Sequence, residues 1–367
     1  MAKNTQHIPY TELQERAMEL GRYSDNAKKK VRGLIQDAYL REIGTKYDWD
    51  FLYTESSFTT EKAYNTGTIA INTGSTTASF TNSVIDADLR NRTIKIAGVN
   101  GDYKFDYVSS SDGTISPALR NTTNVSGSTF WITRNRYSLA SDFDRFPKNG
   151  GIYKWEGSQK KRLDVVYYQE QMDNYSNSPS DPRYMRLVGK DTKNCPLVEI
   201  YPPPKEDKNY PYDYLRLLRP LSETSEGTVT IAKTSNTVNG TGCKFTDATT
   251  GDWIRVDAFG TSADSEWYQI LSISNDNTLT LNGVFGSSGC TAEKYVISSA
   301  PEFPTRLQPA ILYRTLMGIT TDESDPMIEI YKFKYDDAMT DCKKEYVTRN
   351  YNQEIPTLAS EEFKYRW

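Results

Sequence analysis

Two stretches of this chain alternate apolar and polar residues over short runs, and others repeat apolar residues at spacings of three and four. The alternating stretches are residues 67–133 and 227–298. Gly67-Thr68-Ile69-Ala70-Ile71 returns as Gly227-Thr228-Val229-Thr230-Ile231, and Ile85, Ile94 and Ile96 return as Phe245, Ile254 and Val256, all at an offset of 160. With a small gap, Phe105 and Val108 match Ile270 and Ile273, and Trp131-Ile132 matches Val296-Ile297. Runs this short, punctuated by Gly, Asn, Asp, Ser and Thr, predict strands and turns rather than helix. Chance alternation does not keep spacing over such a length, so the pattern reads as an internal repeat. We expect two homologous small all-β modules, each a barrel or sandwich of about five or six antiparallel strands.

The helical pattern lies at the two ends. Ser24 or Asp25 can cap a helix running to about Lys46, in which Val31, Leu34, Ile35, Ala38, Tyr39 and Ile43 form one apolar face. A weaker helix from Thr11 to Leu20 precedes it, and the aromatic run Tyr47-Asp48-Trp49-Asp50-Phe51-Leu52 follows it. Pro301 to Gly318 holds another helix, with Leu307, Ala310, Ile311 and Leu316. A last one runs from Pro326 to Tyr346, its face made by Ile328, Tyr331, Tyr335, Ala338, Met339, Cys342 and Tyr346. These helices have no apolar partner nearby in sequence, so they are expected to pack on one another. Between the modules, residues 163–168, 197–201 and 212–218 read as strands, the second stopped by Pro202-Pro203-Pro204.

The parse is therefore α+β. A discontinuous core is drawn from 1–66 (N-terminal helices), 134–226 (mixed strands and loops) and 299–367 (C-terminal helices and tail). Module 67–133 and its repeat 227–298 are inserted into it at loops, where insertion is tolerated. A length of 367 residues fits more than one core. The apolar fraction is only 37% and the mean hydropathy −0.67, but 26 Tyr, 13 Phe and 6 Trp exclude a disordered chain. So many tyrosines suggest wet interfaces and partly exposed sheets.

Charge and chemistry remove function classes. The net charge of −4 does not make the whole chain an attractor of nucleic acid, and Lys28-Lys29-Lys30 with Arg32 reads as a solvated helix face. Met1 to His7 lacks the apolar core of a secretory signal, and no stretch approaches the roughly 20 apolar residues of a membrane span. The four cysteines, Cys195, Cys243, Cys290 and Cys342, are far apart, so neither a zinc site nor a disulfide framework is expected. One histidine, His7, leaves no Ser/His/Asp triad or Cys/His pair, and no phosphate-binding glycine loop is present. Two carboxylates suffice for glycoside cleavage, yet 48 acidic residues give no means of nominating a pair. Thr321 to Asp325 lacks the spacing of a calcium loop. Trp253, Trp267 and Tyr268 offer either sugar-stacking surfaces or ordinary strand packing. No enzyme activity, cofactor or metal is expected.

The core segments resemble the adaptor proteins beneath the portal in the neck of tailed, particularly short-tailed, bacteriophages. The resemblance is carried by the helix ending in Tyr47-Asp48-Trp49-Asp50-Phe51-Leu52 and by Tyr137-Ser138-Leu139-Ala140-Ser141-Asp142-Phe143-Asp144-Arg145, with Ala140 where that family usually has proline. Leu197 to Pro204, Tyr214 to Pro220 and Phe303-Pro304 follow in the family's order. The β-modules are additions to the pattern. The resemblance implies a virion protein, assembled in the host cytoplasm, that forms a ring of commonly twelve copies. The ring would join portal to tail or nozzle proteins and surround the DNA channel. DNA would be a partner only by passage, and a membrane not at all. Phe363, Tyr365, Arg366 and Trp367 at the end of a polar tail suit a partner interface, against portal or a neighbouring subunit. The alternative is a tail or fibre component whose β-modules bind host-surface glycans.

Overall fold

A computed structural model of the chain describes residues 7–166, 179–257, 266–286, 289–320 and 325–347. They fall into two compact units, one from residues 1–52 and 218–367, the other from residues 53–217. The mixed architecture expected from the sequence is present: helices, and two closed or nearly closed β-barrel sheets.

The first unit holds the described α-helices, α1 (Tyr10–Leu20), α2 (Lys28–Asp37), α3 (Gln308–Ile319) and α4 (Pro326–Tyr346). The helix expected from Ser24 to Lys46 is not one regular element. A 3₁₀ turn, Asp25–Ala27, enters α2, and a π-helical turn, Ala38–Ile43, leaves it. The Gly44 N–H reaches back five residues to the Tyr39 carbonyl at 3.1 Å. Ala38, Tyr39 and Ile43 are all buried across this wider turn. α3 packs against α1, α2 and α4, so the helices of the two chain ends do cover one another. Leu307, Ala310, Ile311 and Leu316 are buried, as are Tyr331, Tyr335, Met339 and Cys342. The aromatic run after α2 closes this core. Trp49 stacks on Phe51 with ring centres 5.6 Å apart, and Phe51 meets Phe303 edge-on at 5.6 Å.

In the same unit, residues 223–298 form a barrel in which strand Cys290–Ser298 pairs with both Thr228–Ile231 and Trp253–Asp257, closing the sheet. The second unit holds the other barrel, the first in chain order and called so below, whose closing segment is broken at Thr129 into Val125–Ser128, paired to Thr68–Ile71, and Phe130–Thr133, paired to Arg92–Ile96. The pairing registers of the two barrels coincide. Ile94 faces Ile132 as Ile254 faces Ile297, and Ala78 faces Gly113 as Val238 faces Leu279. Even the isolated bridge Tyr64–Ile132 has its counterpart in Thr224–Ile297. Each barrel encloses its own core, led by Phe80, Phe105 and Phe130 in one and by Phe245, Phe285 and Tyr295 in the other.

The rest of the second unit is two sheets. Asn209–Arg216 lies between Tyr53–Thr59 and Phe143–Arg145, and Pro196–Tyr201 lies between Tyr184–Lys190 and Arg136–Ser138. Of the strand expected at 163–168, Asp164–Val165 pairs within the second sheet, and residues 167–168 lie outside the described residues. The pairing of Tyr53–Thr59 with Asn209–Arg216 draws residues 53–66 into this unit. The segments joined in the sequence parse thus divide: residues 1–52, 218–226 and 299–367 group with the barrel of residues 223–298, and residues 53–66 and 134–217 with the other.

Tyrosine plays a different part from the one its abundance suggested. Tyr137, Tyr210, Tyr212 and Tyr214 are core residues, grouped with Phe58 and Phe143. Their rings replace aliphatic side chains, and all but Tyr210, whose buried hydroxyl has no hydrogen-bond partner among the described residues, find polar partners nearby. Tyr137 Oη donates to the Arg134 carbonyl at 2.7 Å, Tyr214 Oη to Asp142 at 2.8 Å, and Tyr212 Oη accepts the Ala140 N–H at 2.8 Å. A low aliphatic content is therefore compatible with a filled interior.

Candidate functional site

Two surfaces stand out from the ordinary polar exterior, one in each unit. In the first unit, α4 starts at a side-chain cap: the Asp325 carboxylate accepts the Met327 N–H at 2.9 Å. The face of α4 toward α3 is the one the sequence spacing nominates. On the opposite face Ile330 and Phe333 remain 44% and 72% exposed, and Met327, three residues before Ile330 on the flank of the inward face, 41%. Their spacing of three places them in one stripe down the outside of the helix. The stripe was legible as a second spacing-of-three set within α4, but the stronger inward set masked it.

In the second unit a groove of about 420 Å³ runs along the rim of the first barrel. Two Arg-Asn-Arg tripeptides, 90–92 and 134–136, come together there with Lys104. The barrel register explains this. Thr93 lies opposite both Thr133 and Lys104, so the residues that flank it on neighbouring strands share one rim. Behind the rim, Arg92 and Arg134 share the carboxylate of Glu61. Arg136 and Arg186 lie across from Glu199 on either neighbouring strand, making a cross-strand triad in which Glu199 is only 3% exposed. Arg186 bonds one Glu199 oxygen at 2.7 and 2.5 Å, while Asn135 and the Arg136 Nε reach the other at 3.2 and 3.0 Å. Burial, with the nearby Glu199 charge adding to it, pushes the Tyr201 hydroxyl up to about 12. Arg90 lies over the Tyr107 ring at 5.4 Å, with Asp106 at 3.9 Å. The repeated Arg-Asn-Arg was a signal in the sequence, but nothing local showed that 44 residues of chain would return the second copy beside the first.

The residues nominated from sequence are distributed as follows. Phe363, Tyr365, Arg366 and Trp367 lie outside the described residues, as do Thr321 to Ser324. Trp253 is buried, beside the His7 ring, and so is no sugar platform; Trp267 lies 4.8 Å beneath the Arg255 guanidinium and Tyr268 packs on Phe285. His7, expected on a loose end, is held by Gln308 Nε2 at 3.0 Å, and burial lowers its imidazole below the usual value. Lys28, Lys29 and Lys30 are exposed. All four cysteines are free thiols, and burial pushes the Cys342 thiol up to about 11, with Glu345 and Asp341 adding to it. Among the described residues no three His, Cys, Asp or Glu side chains converge as metal ligands, and no helix is long and apolar enough to cross a membrane.

No family model matches the chain, and no curated protein matches it. Among solved structures, the chain is similar to the translation elongation factor SelB from Methanococcus maripaludis in its apo form, at 9% identity and a TM-score of 0.16, over 68% of this chain and 63% of that one. The same factor with the GTP analogue GPPNHP gives 10% identity and a TM-score of 0.16, over 66% and 63%. This chain thus spans less than two thirds of either structure, and likenesses this faint carry no functional argument.

Proposed function

We propose that this chain is a structural virion protein, a head-to-tail adaptor that forms a ring between portal and tail and surrounds the DNA channel. The observation that carries the reading is the outer stripe of α4, Ile330 and Phe333 with Met327 at its edge, on a helix whose other face is already buried. A large aromatic residue left mostly in water on a rigid helix is what side-by-side association consumes. The order of core segments that resembles phage neck adaptors supports the same reading, and we take the ring to have twelve copies, with portal and tail or nozzle proteins as neighbours. In this reading the two barrels are copies of one duplicated module, added to the adaptor core as accessory contacts. The protein acts by assembly in the virion neck, without catalysis.

Glycan binding by a tail or fibre component is the second reading. It loses support from Trp253, which is buried, and from Trp267, half-buried with the Arg255 guanidinium over its ring. Negative-stain microscopy of the protein mixed with its portal tests the assignment: stacked rings are expected. No complex with portal, together with binding to host cells, overturns it in favour of the fibre reading.

A further inference from the structure

We infer that the groove on the first barrel holds the phosphodiester backbone of duplex DNA. Its lining brings Arg90, Arg92, Arg134, Arg136 and Lys104 together, against Asp88. The carboxylates behind it fix these side chains without spending all their donors. Arg136 is held through Nε, and the Glu199 oxygens that it faces are already shared with Arg186 and Asn135. Arg90 has only a distant carboxylate, and Lys104 is exposed with no described carboxylate partner. Guanidinium groups fixed in this way are preorganised for bidentate contact with phosphate oxygens.

The rest of the lining separates this ligand from the other polyanions. Among the described residues Leu197 is the sole apolar one lining the groove, and none of the lining residues is aromatic. An acidic protein segment needs an apolar or aromatic anchor to add affinity, and single-stranded DNA needs stacking surfaces. A duplex backbone needs neither, because its contacts are to phosphate and sugar through Arg, Lys, Asn and Thr.

The second barrel shows that the fold does not require this charge. At the equivalent rim positions it carries Thr250, Asp252, Gln269 and Ser299 in place of Arg90, Arg92, Lys104 and Arg134. That rim is also covered, since Tyr10 N–H donates to the Ser299 carbonyl at 2.8 Å and Thr11 N–H to Ser298 Oγ at 2.9 Å. Asn91 and Gly251 share a left-handed backbone at the same place, φ 57° and 96°, so the two rims differ in side chains rather than in backbone. The groove is thus a local basic site on an otherwise acidic chain. It gives DNA a weak, sequence-independent handhold rather than free passage.

The inference deepens the adaptor reading by giving it a DNA contact, but its test reads the isolated chain and is independent of ring assembly. A labelled DNA duplex is titrated with the full chain by fluorescence anisotropy. For three phosphate contacts the affinity should fall about 40-fold between 50 and 200 mM salt, a slope near −2.7 in log K against log salt. Arg90→Gln/Lys104→Gln/Arg136→Gln should abolish this slope and lose at least ~10-fold in affinity at the low-salt end. Arg41→Gln/Arg306→Gln/Lys344→Gln, an equal change of charge on exposed side chains of the other unit, should lose less than ~2-fold. Lys104→Gln alone, a surface change that leaves the fold intact, should reduce the slope by about 0.9. Equal loss in both triple variants overturns the site, as does wild-type binding by the groove variant. Competition by poly-glutamate as effective as that by DNA of equal charge assigns the groove to an acidic protein and overturns the DNA assignment.

Discussion

The indole N–H of Trp49 donates to the carbonyl of Ile43 at 2.9 Å, tying the aromatic run to the end of the π-helical turn. Both residues are fully buried, and the Trp49 ring also faces Tyr47 edge-on at 5.3 Å. One side chain thus satisfies a carbonyl at a helix end and fills the space between the helices of the two chain ends. Trp49→Phe should cost about 1–3 kcal/mol, from the lost bond and a small void, and Trp49→Ala about 3–5 kcal/mol. Urea unfolding followed by tryptophan fluorescence or circular dichroism measures both.

Glu199 should be the most sensitive carboxylate of the second unit. Removing it leaves Arg186, mostly buried, without its charge partner and takes from the buried Asn135 one of its two acceptors, the Tyr201 hydroxyl at 3.2 Å remaining. We expect Glu199→Ala to destabilise by about 2–4 kcal/mol, and Glu199→Gln by less, because the amide oxygen still accepts one bond. Removing Arg136 instead, half exposed, should cost under about 1 kcal/mol. Thermal melts of the three variants give the ranking.

Gly67 and Gly227 should respond alike to the same substitution. Their φ angles are 86° and 87°, and a Cβ at either would lie 2.4 Å from the carbonyl oxygen of Thr81 or Thr241. Alanine at either position should cost about 1–3 kcal/mol through backbone strain alone, with the steric contact added. Limited proteolysis should cut each variant inside the barrel that carries the change.

The outer stripe of α4 predicts a separation of folding from assembly. Ile330→Glu/Phe333→Glu alters residues already in water, so the melting midpoint of the monomer should move by no more than the ~0.5 kcal/mol usual for surface changes. Ring formation with portal, scored by negative-stain microscopy, should be lost. Rings from the double variant would remove the stripe from the interface.

Alkaline pH should unfold the second unit cooperatively. Burial, foremost, pushes the Tyr137 hydroxyl up to about 12, and Tyr201 likewise, above the unfolded phenol value near 10. A raised pKa on a neutral acid means that the folded state binds its proton more tightly. The stabilisation is therefore complete below pH 10 and is lost as pH rises from about 10 toward 12. Absorbance at 295 nm should show these tyrosines ionising together with the loss of circular dichroism, after the exposed ones.

The sequence by itself determined what depends on local period and composition. The offset of 160 located both barrels, because alternation is fixed by the pleat and core positions must recur for the same sheet to close. The inward faces of α3 and α4 followed from spacing in the same way. Only the tertiary structure decided what depends on residues distant along the chain. The pairing of Tyr53–Thr59 with Asn209–Arg216 divided the expected core between two units, and the shared carboxylates of Glu61 and Glu199 gathered two remote Arg-Asn-Arg tripeptides into one groove. Strand register between separated segments is set by which surfaces can be buried together, and no local pattern carries that information. The same holds for tyrosine: its count suggested wet surfaces, while partners distant along the chain, Ala140 for Tyr212 and Asp142 for Tyr214, let these rings fill the core.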